Sequence, residues 1–173
     1  GADIWQGGID VENRFTGTPL SGGASLSYFA GEDFAAWTGM LHLRLFFDTN
    51  VLVSAVLFGG VPGRVVEAAR DGRADGVVSL HVLADFVDVL TRPRFGIDEA
   101  TAIALAEEIA SFTEVVPLMV ASGSWVVDSG DDPVVEAALT GRATHLVTGD
   151  ARIHEAAVEG LRVVNPADAA RLL

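Results

Sequence analysis

The chain has 173 residues, half of them apolar, which is enough for one domain with a substantial core and a short appendage. It has no cysteine, which excludes disulfides and thiolate metal sites and suits a reducing cytoplasm. The formal charge is −13 and every one of the 11 basic residues is an arginine, a balance that excludes a broadly basic nucleic-acid binder.

A mean hydropathy of +0.38 raises the question of a membrane. No uninterrupted apolar run approaches the ~18–20 residues of a spanning helix, and no basic, apolar, small-residue signal opens the chain. A soluble protein with no membrane partner is expected.

The first 40 residues stand apart. They hold 8 of the 19 glycines and 6 of the 13 aromatics, but a single basic residue, Arg14. Gly17 to Gly23 reads as turn and loop. Gly31 to Thr38 reads as a short amphipathic helix with Phe34 and Trp37 three apart. Residues 1–40 are therefore expected to be a loosely structured leader: a docking peptide, or a non-native stretch ahead of Met40.

A regular pattern follows over 41–173. Leu41 to Phe47 begins with alternation and ends apolar, as a strand entering a core does. Pro62 to Arg70 reads as a helix, Gly76 to Val78 as a buried strand, and Leu80 to Leu90 as a strongly patterned helix that Arg92-Pro93 stops. Asp98 to Phe112 is a further helix. Glu114 to Val116 and Trp125 to Val127 are short strands. Pro133 to Leu139 is helical, Thr144 to Val147 a strand, Arg152 to Ala157 helical, Leu161 to Val164 a strand, and Ala167 to Leu172 a closing helix. Short strands alternating with helices predict an α/β fold, a three-layer α/β/α sandwich with a central, mostly parallel sheet.

Ligands in such folds sit beyond the carboxyl ends of the strands. Asp48 follows Leu45-Phe46-Phe47, and Asp150 follows Leu146-Val147-Thr148-Gly149. Asp132 opens a helix. Asp85 falls beside Val89, at the edge of the apolar face made by Val82, Phe86, Val89 and Leu90. The four can share one rim. Crowded carboxylates repel one another, and a hard divalent ion relieves that repulsion. Taken singly, each has a plainer reading. Asp132 and Asp150 suit helix N-caps, Asp48 suits a turn before Thr49-Asn50, and Asp85 suits a solvated edge.

The residues Phe47-Asp48-Thr49-Asn50-Val51-Leu52-Val53-Ser54-Ala55 resemble the opening motif of PIN domains. Gly59-Gly60-Val61-Pro62 resembles the loop that follows. Ser79 to Leu90 with Arg92-Pro93-Arg94-Phe95, Asp128 to Leu139, and Ala143 to Asp150 resemble the later blocks. The similarity covers almost all of residues 43 to 168 and is closest to the VapC-like toxins of bacterial toxin–antitoxin systems. The resemblance implies Mg2+- or Mn2+-dependent RNA cleavage, a homodimer, and a cognate antitoxin partner. Carried over by position, Asp48, Asp85, Asp132 and Asp150 are the metal-binding and catalytic acids, with Asn50 and Thr148 as polar neighbours. Two departures stand out. Asp85 occupies a place where the family usually has Glu. Val127-Asp128-Ser129-Gly130-Asp131-Asp132 lacks the family's basic residue and makes Asp131 a rival ligand.

An acidic chain still needs cations near phosphate, and Arg64, Arg92 and Arg94 are expected along the RNA path. Residues 1–40 are expected to act as an antitoxin-like peptide in cis, with Arg14 near the acidic rim. A haloacid-dehalogenase-type phosphatase needs a second Asp where Asn50 stands. The histidines show no zinc spacing. The remaining alternative is a catalytically silent PIN-like module that binds RNA or protein.

Overall fold

The computed structural model describes residues 5–10, 23–31, 34–117, 132–154, 158 and 160–173. For the strands before residue 43 and for Asp132, the description is of backbone alone. Contacts divide the chain between Leu43 and Arg44 into two units.

The first unit holds an antiparallel sheet of β1 (Trp5–Asp10), β2 (Gly23–Gly31) and β3 (Phe34–His42), in that order. Its register places Trp5 opposite Ala30 and Tyr28 opposite Trp37. Where these residues are described they form a sheet, and of the helix expected over Gly31 to Thr38, Gly31 and residues 34–38 are strand, while 32–33 lie outside the described residues. The physical reason lies in Phe34 and Trp37. Their spacing fits a helix face, but aromatic residues favour a pleated surface. Pairing with β2 also satisfies backbone groups that a two-turn helix leaves unmet. The turn expected over Gly17 to Gly23 lies outside the described residues up to Gly22.

In the second unit the elements run β4 (Arg44–Phe47), α1 (Thr49–Phe58), α2 (Gly60–Arg70), β5 (Asp75–Ser79), α3 (Leu80–Leu90), α4 (Glu99–Phe112) and β6 (Thr113–Val116). After the undescribed stretch come α5 (Asp132–Thr140), β7 (His145–Val147), α6 (Ala151–His154), β8 (Arg162–Val164) and α7 (Pro166–Leu172). The sheet order is β6-β5-β4-β7-β8, and every pairing is parallel. The expected α/β/α sandwich is the observed fold. The strand expected at Trp125 to Val127, and residues 155–157 of the helix expected from Arg152, lie outside the described residues.

The sequence accounts for these elements locally. Ser79 caps α3 by accepting from the Val82 N–H at 3.2 Å, and Asp98 caps α4 by accepting from the Thr101 N–H at 2.9 Å. Gly59 and Gly60, at φ 61° and 62°, carry the chain through the 104° bend between α1 and α2, a backbone region that side-chain-bearing residues rarely adopt. Among the described residues, no single helix is long and apolar enough to cross a membrane.

Successive residues Leu45, Phe46 and Phe47 are all fully buried, as are Val77 and Val78 on β5 and Leu146 and Val147 on β7. Neighbours on a strand point to opposite faces, so helices must cover both faces of the sheet centre. At the edge opposite the strand ends that carry Asp48, Arg44 Nε donates to the Gly141 carbonyl at 2.6 Å and its guanidinium pairs with Glu114. This ties β4 to β6 and to the turn before β7.

Packing at Gly76 leaves no room for a methyl group. A Cβ there would lie 2.8 Å from Thr113 Cγ2, 3.0 Å from Ala69 Cβ and 3.2 Å from Phe47 Cε2. Gly76→Ala is expected to lower unfolding free energy by about 1–3 kcal/mol through overpacking, measured by urea denaturation. An unchanged midpoint would show that β5 and β6 separate easily.

Candidate active site at the strand switch point

From β4 the chain adds β5 and then β6 on one side, then crosses back to place β7 and β8 on the other. The order therefore reverses between β4 and β7. At such a point neighbouring loops leave in opposite directions and open a crevice beyond the carboxyl ends of the strands. Asp48 directly follows β4, and Thr148 directly follows β7.

Asp48 occupies the N-cap position of α1, in extended conformation, yet makes no side-chain capping bond. Its carboxylate is engaged across the crevice. Thr148 Oγ1 and Asn50 Nδ2 each donate to Asp48 Oδ2 at 2.5 Å. The carboxylate is buried, with 7% of the residue exposed, and Thr148 is fully buried. Thr148 Oγ1 in turn accepts from Asn50 Nδ2 at 3.2 Å and from the Asp150 N–H at 3.0 Å. Asn50 Oδ1 accepts from the Gly149 N–H at 3.0 Å. One amide and one hydroxyl thus lock the end of β4 to the loop after β7. Such charge-assisted bonds are the strong ones.

Asp150 is partly exposed. Its Oδ1 accepts from the Arg152 N–H at 2.9 Å, the capping contact expected of an Asp before a helix. The Arg152 guanidinium also forks onto both oxygens, NH2 to Oδ2 at 2.6 Å and Nε to Oδ1 at 3.2 Å. Hydrogen bonding from the Arg152 side chain and backbone holds the Asp150 carboxyl down at about 2.

Asp85 lies on α3, whose buried face is Val82, Phe86 and Leu90. It is half exposed, one turn from His81, with His81 Nε2 3.5 Å from Asp85 Oδ2. Asp88 points to water and pairs with Arg92 at 2.9 Å.

A cleft of about 370 Å3 gathers these groups: Asp48, Asn50, Asp85 and Asp150 line it, together with Arg92 and Arg94. Val134 on α5 lines it as well. Asp132 is the first residue of that helix, and its side chain is not described. Asp131 and Arg14 lie outside the described residues. Arg64 is exposed on α2 and is not among the residues lining the cleft. His81, Thr49 and Ser54 line it as well, without a role expected from the sequence. For His81 a signal existed, since a residue four before Asp85 shares its helix face.

The donor set suits a hard divalent ion. It is all oxygen, and the cleft has room for an ion that keeps several waters. Among the described residues, no three acids or histidines converge on one point as the side chains lie.

The family model for the PIN domain matches residues 44–152. The chain belongs to the PIN-domain family. Among solved structures, this PIN domain is similar to the crystal structure of VapBC2 from Rickettsia felis bound to a DNA fragment from their promoter. The TM-score is 0.53 at 15% identity, covering 71% of this chain and 98% of that one. At that identity the likeness is one of fold. No curated protein matches the chain.

Thr148 sits where three polar partners meet. Thr148→Val keeps the shape but leaves a buried carboxylate short of a donor. It is expected to reduce stability by about 1–3 kcal/mol at neutral pH in urea unfolding. A loss near zero would mean that the hydroxyl does not hold Asp48.

Proposed function

We propose that this PIN domain is a divalent-metal-dependent ribonuclease and the toxin half of a toxin–antitoxin pair. One observation carries the reading: acids from three separate stretches of chain, Asp48, Asp85 and Asp150, border one cleft at the sheet's switch point, beside two arginines. Asp132, at the start of α5, is the proposed fourth acid, with Asp131 as its alternative.

Mg2+ or Mn2+ held by these carboxylates supplies a water acidified toward neutral pH and a positive charge against the developing phosphate charge. The chain's own groups do the rest. Thr148 and Asn50 fix the Asp48 carboxylate so that its position is set before any ligand arrives. Arg92 and Arg94 flank the cleft and offer the cations that an otherwise acidic surface lacks. They hold the phosphate backbone against repulsion from the acids. Backbone contacts of this kind position RNA without reading its sequence. Arg64, away from the cleft, is a weaker candidate for the same path.

The neighbour of like fold is a VapBC2 pair on promoter DNA, which supports the reading of a cognate antitoxin for this chain. A homodimer is part of the same proposal.

The test is Asp48→Asn, assayed with single-stranded RNA and Mn2+. Asn keeps the shape and removes the charge. Cleavage is expected to fall more than about a hundredfold, a rise in barrier of about 2.7 kcal/mol, with an unchanged far-ultraviolet circular dichroism spectrum. EDTA is expected to abolish wild-type cleavage. A variant as active as wild type contradicts the assignment. Wild-type protein that binds RNA or a protein partner but never cleaves favours the silent binding module.

A further inference from the structure

Arg152 has no place in the metal chemistry described above, yet it makes the most extensive contact with one of the proposed ligands. Three of its donors reach Asp150: the backbone N–H to Oδ1 at 2.9 Å, Nε to Oδ1 at 3.2 Å and NH2 to Oδ2 at 2.6 Å. Both carboxylate oxygens are thereby engaged by a residue two positions along the chain. Asp150 nevertheless lines the same cleft as Asp48 and Asp85. Among the described residues, no three acids or histidines are grouped to hold a metal ion, and the fork occupies both oxygens of one of the candidates.

We propose that Arg152 is a positioning residue of the metal site, a resident cation whose guanidinium holds Asp150 and which the divalent ion must displace to recruit that carboxylate. The inference rests on the nuclease reading above. A planar guanidinium meets a carboxylate through two parallel bonds, which a lysine ammonium, a point charge, does not reproduce. The Arg152 side chain is more than half exposed, at 56%, so moving off Asp150 does not require burying its charge. The backbone N–H contact to Oδ1 does not depend on the side chain and keeps Asp150 at the start of α6. Displacement thus changes which cation Asp150 faces and leaves the helix start in place.

Isothermal titration of the full chain with MnCl2 tests this, comparing wild type with Arg152→Gln and Arg152→Lys. Removing the competing cation is expected to lower the Mn2+ Kd of Arg152→Gln about two- to fivefold, the range that exposed ion pairs span. Arg152→Lys is expected to fall between that variant and wild type. An Arg152→Gln Kd equal to or weaker than that of wild type overturns the inference while leaving the nuclease reading intact. Wild-type protein that takes up no Mn2+ overturns both. Thermal melts in EDTA accompany the titration, and matching melting temperatures assign the change in Kd to the site and not to the fold.

Discussion

An aspartate with 7% of its surface exposed is costly to bury unless hydrogen bonds answer its charge, and at Asp48 two of them do so at 2.5 Å, from Thr148 and Asn50. Much of the second unit follows from that tie. It requires the ends of β4 and β7 to be neighbours, and these are the two strands between which the sheet order reverses. It requires Asn50 in the first turn of α1, so the helix must begin immediately after the strand. It also draws Asp48 away from capping α1, leaving that helix start without a side-chain cap. A residue that forgoes a helix cap for a buried polar network is a local departure from the best secondary-structure chemistry. Such departures concentrate at functional sites.

Much of this arrangement was legible in the sequence because the strong local signals agreed with the global fold. The α3 boundaries, Leu80 to Leu90, follow from apolar periodicity ahead of an Arg-Pro stop, and they are the observed ones. The acids after Leu45-Phe46-Phe47 and after Leu146-Val147 read as strand-end residues because parallel strands place all their carboxyl ends on one rim. Strand order was not legible. No local pattern states that β7 returns to the far side of β4, since that follows from packing the whole sheet. Nor did periodicity reveal Arg152 folding back onto Asp150, because a contact two residues away belongs to the geometry of the helix start. In the first unit, the spacing of Phe34 and Trp37 fits a helix, while cross-strand pairing, which depends on residues further back in the chain, decides for strand.

The charge of −13 is compatible with the proposed RNA-cleaving role because of where the cations stand. Arg92, paired with Asp88, and Arg94 line the cleft, whereas Arg44 and Arg70 pair with Glu114 and Glu108 away from it. Acids of the second unit differ in their duties in the same way. Asp88 is a solvated partner of Arg92, Asp98 caps a helix, and Asp48 alone among these three is buried. Membership of the PIN-domain family fixes the general architecture. The burial of Asp48 and its ties to Thr148 and Asn50 give that architecture its chemical content in this chain.

The central claim is that carboxylates at the strand switch point hold a divalent ion. Anomalous diffraction from crystals soaked in MnCl2 tests it most directly. The account predicts a Mn2+ peak in the cleft with an Asp48 carboxylate oxygen at about 2.1 Å, the distance usual for small, hard octahedral ions. A cleft open to solvent with no peak at saturating MnCl2, or a peak bound only by acids outside it, would contradict the account.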